Sequence, residues 1–146
     1  MTSLSLWIYR ALVAVALPLA VPVLKIRQMF TGKVRPRFRD RLGWGLPDLS
    51  RDGVWIQAVS VGEVELARRL VVEFQAQAPD LPLFVTATTA TGLALARKTM
   101  GRALPVFPCP VDLPGPVRRV LAASKPRLLL LVETELWPEM LYQTCL

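Results

Sequence analysis

Four short polar clusters hold the residue types that could do chemistry, and each stands directly after an apolar run. They are Ser60-Val61-Gly62-Glu63, Thr88-Thr89-Ala90-Thr91-Gly92, Pro110-Val111-Asp112 and Glu133-Thr134-Glu135. Hydroxyls and carboxylates at the mouths of loops suit a polyhydroxylated or charged ligand. The 146 residues include no histidine and only two cysteines, Cys109 and Cys145, without CxxC spacing. A Ser-His or Cys-His pair and a zinc site are thereby excluded, so a general base in this chain must be a carboxylate. No metal and no cofactor is called for.

Each cluster also has a structural reading. Ser60 and Glu63 stand at capping-box spacing, in which the hydroxyl accepts from the amide of residue 63 and the carboxylate reaches back. General base and helix cap both stay open at this point. Thr88 and Thr91 suit helix starts, and Asp112 shortly before Pro114 suits a turn. Glu133 is harder to read that way, because a charge at the edge of a core has a partner or a task.

The elements that must position these clusters follow from periodicity. Val54 to Val59 reads as a strand and Glu63 to Ala78 as a helix, with Leu66, Ala67, Leu70, Val71 and Phe74 on one face and Pro79-Asp80 as its stop. Leu83 to Thr88 reads as a second strand and Thr91 to Met100 as a second helix ended by Gly101. A third strand spans Leu104 to Phe107, and a short helix lies around Pro116 to Ala123. The unbroken run Leu128 to Val132 predicts a central strand covered on both faces. Strands alternating with helices through short loops predict an α/β fold with a doubly wound parallel sheet. Ligands of such sheets bind beyond the carboxyl ends of the strands, where all four clusters would converge.

The first third of the chain is different. Leu4 to Leu24 is apolar apart from small polar residues and Arg10, and about 20 such residues are what a helix needs to cross a bilayer core. A membrane anchor is expected over residues 1–24, with a helix lying in the interface plane as the alternative, favoured by Arg10, Pro18 and Pro22. Between Lys25 and Arg41 stand seven basic residues against Asp40 alone, nearly the entire net charge of +7. Their position after the apolar run puts the remainder on the cytoplasmic side. Concentrated there, the charge predicts anionic membrane lipids as partners and argues against a nucleic-acid face. Residues 25–53 thus read as a basic collar and linker, and 54–146 as the α/β domain.

The chain also resembles a known family. Ala58-Val59-Ser60-Val61-Gly62-Glu63 and Glu133-Thr134-Glu135-Leu136-Trp137-Pro138 are similar to motifs of the 3-deoxy-D-manno-octulosonic acid (Kdo) transferases. The resemblance runs from the apolar N-terminus to Trp137-Pro138. It implies a GT-B glycosyltransferase of two Rossmann-like domains, of which this chain is part of the N-terminal, acceptor-binding one. It implies an inverting transfer of Kdo from CMP-Kdo to a lipid A precursor at the cytoplasmic face of the inner membrane. Glu63 would be the catalytic base, Glu133 an active-site carboxylate and Glu135 a substrate-binding one, with Ser60, Gly62, Thr88, Thr89, Thr91, Gly92 and Asp112 on the acceptor rim. Gln57 departs from the family, many members of which have histidine there. The chain stops soon after Met140-Leu141, so the domain that holds CMP-Kdo is expected to lie outside it, and the chain alone is expected to be inactive.

Overall fold

The computed structural model describes residues 4–31, 37–132 and 136–146, with residues 21 and 23–31 described through their backbone alone. Five consecutive buried residues, Val54–Ala58, form β1, and helix α3 (Val61–Gln77) follows after a two-residue turn. Strand β2 (Leu83–Ala87), helix α4 (Ala90–Met100), strand β3 (Val106–Pro108), helix α5 (Pro114–Ser124), strand β4 (Leu128–Leu131) and helix α6 (Pro138–Thr144) complete the domain. The four strands make one parallel sheet in the order β3-β2-β1-β4. The α/β reading and the alternation of strands and helices therefore stand, with boundaries moved by one or two residues at most ends.

The pleat divides the core. Val54, Ile56 and Ala58 of β1 and Leu83, Val85 and Ala87 of β2 pack under Val64, Ala67 and Val71 of α3 and Leu93, Ala96 and Met100 of α4. On the other face Trp55, Phe84 and Phe107 stack across three strands, with centroids 5.6 and 5.7 Å apart, beneath Val117 and Val120 of α5 and Met140 of α6. Alternate side chains of a strand point to opposite faces, so unbroken apolarity is what a doubly covered sheet demands.

Among the described residues the leucine run is paired on one side: β4 bonds to β1, and its Leu128 is 44% exposed. The central place belongs to β1, which is buried throughout although it contains Gln57. Apolarity reports that a strand meets a core, whereas centrality depends on neighbours at both edges. A buried amide whose hydrogen bonds are all made does not prevent it.

Helix α1 (Leu4–Thr31) covers the apolar N-terminal stretch, and helix α2 (Phe38–Arg41) ends the basic collar. Among the described residues no helix is long and apolar enough to cross a membrane. One face of the first turns of α1 is docked on the domain. Leu6 is buried there, the Tyr9 hydroxyl donates to Asp112 at 2.6 Å, and the Arg10 guanidinium forms two bonds to Glu139, at 2.7 and 2.9 Å. The opposite face exposes Leu4, Ile8, Leu12, Val15 and Leu19, an i, i+4 and i, i+3 stripe, with Trp7 beside it.

Candidate functional site

The chain reverses its winding beside β1. From β1 it passes through α3 to β2 and on through α4 to β3 over one face. It then returns through α5 over the other face to β4, on the far side of β1. The switch point lies between β1 and β4, where an open α/β sheet leaves a crevice at its carboxyl edge. Out of β1 at that crevice comes the turn that carries Glu63. Out of β4 comes Val132, whose amide donates to the Gln57 carbonyl at 2.9 Å, immediately before residues 133–135. Glu133 and Glu135 lie outside the described residues.

Glu63 is 4% exposed and closes a complete capping box. Its Oε2 accepts from the Val59 amide at 2.6 Å and its Oε1 from the Ser60 amide at 3.1 Å, while Ser60 Oγ accepts from the Glu63 amide at 3.4 Å. A carboxylate has about four lone-pair directions, so two bonds fix its orientation and leave others unused. Gly62, which precedes it, is exposed, and a methyl group added there would meet nothing nearer than Ser60 Oγ at 3.9 Å. Open space therefore stands in front of the turn.

The second cluster is bound to the first. The Thr89 amide and hydroxyl both donate to the Val59 carbonyl, at 3.0 and 2.8 Å, and Thr89 Oγ1 caps α4 through the Gly92 amide at 3.1 Å. Gly92 is buried against this turn; a Cβ there would stand 3.2 Å from the Val59 carbonyl oxygen and 2.9 Å from Thr89 Oγ1, too close for any side chain. Thr91 is exposed, and Thr88 is half-buried on the rim. The Thr88 amide donates to the Ala58 carbonyl at 3.1 Å, and its own carbonyl accepts from the Arg41 guanidinium. Ser60, Gly62, Thr88, Thr89, Thr91 and Gly92 are thus brought to one rim beside Glu63. A cavity of about 280 Å³ lined by Leu49, Gln75, Asp80, Leu83, Phe84 and Pro105 opens at the opposite end of the strands and touches none of them.

Asp112 stands apart from that group. It is 4% exposed, and its two oxygens accept from the Glu139 amide at 3.0 Å, the Met140 amide at 2.8 Å and the Tyr9 hydroxyl. It holds the start of α6 and the first turns of α1. Burial pushes its carboxyl above the usual aspartate value, against the opposing pull of those three donors. Glu139 goes the other way. Its burial is outweighed by the Arg10 guanidinium and the Gln143 amide, which hold it below the usual glutamate value.

With this geometry, residues 36–145 match the family model described as 3-deoxy-D-manno-octulosonic-acid transferase (kdotransferase). The chain belongs to the Kdo transferase family. It is 31% identical over 137 residues to the 3-deoxy-D-manno-octulosonic acid transferase of Haemophilus influenzae, a match covering 92% of this chain and 32% of that protein. The corresponding transferase of Bordetella pertussis is 42% identical over 93 residues, covering 60% of this chain and 21% of its own length. A bifunctional glycosyltransferase/methyltransferase of Fusobacterium nucleatum is 32% identical over 136 residues, 91% of this chain and 20% of that one. The chain therefore spans about a third or less of the relatives it matches. Its family is one of glycosyltransferases, and Kdo transfer in lipopolysaccharide synthesis is what the family does in general.

Several residues of this Kdo transferase segment were not visible from spacing. Arg41 reads in sequence as one more cation of the collar, yet it reaches the rim at Thr88. Tyr9 is joined to Asp112 across 103 positions and Arg10 to Glu139 across 129, beyond any local pattern. Gln57 carried the one available signal, a lone amide inside an apolar strand.

Proposed function

We propose that this chain forms the acceptor side of a Kdo transferase, in which Kdo passes from CMP-Kdo to a lipid A precursor. The observation that carries the reading is the place of Glu63. It sits on the turn out of the central strand, at the switch point of the sheet, with open space before Gly62 and the carboxyl end of the neighbouring strand, at Val132, beside it. In this reading Glu63 takes the proton from the attacking acceptor hydroxyl through a lone pair its two backbone bonds leave unused. Glu133 is a further active-site carboxylate and Glu135 a substrate-binding one, the roles their motif implies, and Ser60, Thr88, Thr89 and Thr91 bind the acceptor's oxygens. CMP-Kdo is held by a second Rossmann-like domain, to which the remaining length of the relatives corresponds. The isolated chain binds acceptor and turns nothing over, because it does not position the anomeric carbon against Glu63.

An acceptor that stays in a bilayer calls for a protein that works at its surface. The docking of Tyr9 and Arg10 on the domain favours α1 lying in the interface plane of the cytoplasmic leaflet rather than spanning it, with the Leu4-Ile8-Leu12-Val15-Leu19 stripe in the acyl boundary. The Lys25 to Arg39 cations then meet anionic headgroups, each worth on the order of 1 kcal/mol.

The test grafts residues 36–145 in place of the matching segment of the Haemophilus influenzae enzyme and follows transfer of labelled Kdo to lipid A precursor, beside micelle binding by the isolated chain. Transfer by the graft and its loss in Glu63→Gln are expected. A Glu63→Gln graft with wild-type turnover removes the base assignment, and an isolated chain that ignores acceptor micelles removes the acceptor-side reading.

A further inference from the structure

A line of four polar side chains climbs one face of the sheet to the rim, and its hydrogen bonds can run in only one direction. Trp55, Gln57 and Thr86 are at most 1% exposed, and Gln57 and Thr86 are direct register partners on β1 and β2. The line starts at an indole N–H, which donates and never accepts. Trp55 Nε1 donates to Thr86 Oγ1 at 2.7 Å, so the Thr86 proton is directed onward, and it goes to Gln57 Oε1. With its oxygen so engaged, the Gln57 amide nitrogen faces the rim. There it donates to the Ala58 carbonyl at 3.2 Å and to Thr88 Oγ1 at 2.9 Å. A flipped amide would set its oxygen against the Ala58 carbonyl oxygen and leave the Thr86 proton without an acceptor. Leaving such buried groups unmade is what the observed orientation avoids.

The consequence falls on Thr88. Its oxygen already accepts from Gln57, so its own proton cannot point inward, and among the described residues that proton has no acceptor. Its backbone is pinned from both sides, the amide to Ala58 and the carbonyl to the Arg41 guanidinium. We propose that Trp55, Thr86 and Gln57 are positioning residues that make the Thr88 hydroxyl an outward donor on the acceptor rim, beside the guanidinium that binds the Thr88 carbonyl, for an anionic oxygen of the acceptor, a phosphate or a carboxylate. This rests on the acceptor-side reading above and adds the group recognised and the residues that orient its donor. An amide at position 57 sets the direction by itself, because its two ends differ in kind and both are fixed by partners.

The experiment titrates the 146-residue chain into micelles of bisphosphorylated lipid A precursor, comparing wild type with Thr88→Val, Thr88→Ser and Gln57→Glu. Loss of a hydrogen bond to a charged group predicts roughly tenfold weaker binding by Thr88→Val, while Thr88→Ser stays within about twofold. Gln57→Glu loses affinity likewise at pH 8, because an introduced carboxylate draws the Thr88 proton inward. Relative to wild type at each pH, it recovers as that carboxyl is protonated and can donate outward again, a recovery that a merely structural role for residue 57 would not produce. Equal binding by Thr88→Val, or a Gln57→Glu deficit independent of pH, overturns the proposal. A Gln57→Glu chain without native circular dichroism leaves the decision to the two Thr88 variants. If the wild type itself ignores the micelles, the functional reading has failed, and the relay is decided by NMR. Slow exchange of both Gln57 side-chain amide protons, with a shifted signal in Thr88→Val, supports it, and exchange at the rate of an exposed glutamine overturns it.

Discussion

Two carboxylates in this domain each hold the start of a helix, and they do so at different ranges. Glu63 holds its own turn: it accepts from the amides of Val59 and Ser60, four and three positions back. Asp112 holds the start of a helix through an amide 27 positions later, and through Tyr9 it also holds a helix 103 positions earlier. The first arrangement fixes a short turn and leaves its outer side open to the crevice. The second ties three distant segments together and uses both its oxygens in doing so. A carboxylate that is only locally engaged can do a second task, whereas one that is a joint between elements is consumed by that task. In the proposed reading this difference gives chemistry to the Glu63 turn and architecture to the Asp112 joint.

The largest expected effect tests the first half of that contrast. In a transfer-competent graft, Glu63→Gln is expected to lower turnover about 10²–10⁴-fold, the usual contribution of a general base. The same change disturbs the capping box, which costs only about 0.5–2 kcal/mol of stability. Thermal melting beside the transfer assay separates the two. A lower melting temperature with turnover within a few-fold of wild type would make Glu63 a cap and nothing more.

Next in size is the joint. Arg10→Met leaves Glu139 as a buried charge without its cation, since the Arg10 and Glu139 side chains are 13% and 0% exposed. Breaking such a pair from one side costs about 3–5 kcal/mol. Asp112→Ala strands two α6 amides and the Tyr9 hydroxyl and is expected to cost about 2–3 kcal/mol, with Asp112→Asn recovering part of it. Chemical denaturation gives both numbers, and limited proteolysis in α1 reports whether undocking precedes global unfolding. Neither change should weaken acceptor-micelle binding at temperatures where the chain remains folded. If Asp112→Asn abolished binding while melting normally, Asp112 would belong to the rim after all.

The same contrast explains what could be read in advance. The Glu63 cap was legible because Ser-x-x-Glu is a local spacing, and the sheet because a doubly covered strand needs an unbroken apolar run. The Asp112 joint was not, because nothing near Asp112 in sequence names α6 or Tyr9 as its partners. Nor was the N-terminal helix legible as a docked one: hydropathy over Leu4 to Leu24 records an apolar surface, and only the Glu139 and Asp112 contacts show that Arg10 and Tyr9 belong to the domain. Strand order is hidden for a related reason, since it is a pairing between distant segments. Glu133 and Glu135, placed by motif at the crevice, lie in a stretch on which the structure gives no geometry.

The smallest effect is a pH dependence in which the two acids of the joint oppose each other. Glu139 is held below its usual value, chiefly because Arg10 and Gln143 outweigh its burial. The stability it contributes is complete above the unfolded value of about 4.3 and is lost as pH falls through the lower folded value. Asp112 is raised by burial. Its contribution is complete below the unfolded value of about 3.9 and is lost as pH rises through the higher folded value. In the wild type the two slopes partly cancel across the acid range. Glu139→Gln should uncover the Asp112 slope, giving a chain that weakens as pH rises from 3. Asp112→Asn should uncover the Glu139 slope, giving a chain that strengthens over the same interval. Denaturant midpoints of both variants and the wild type at several values between pH 3 and 7 would show it. Parallel curves for the two variants would mean that the acids titrate alike, and that the Arg10 bond does not distinguish Glu139 from its neighbour.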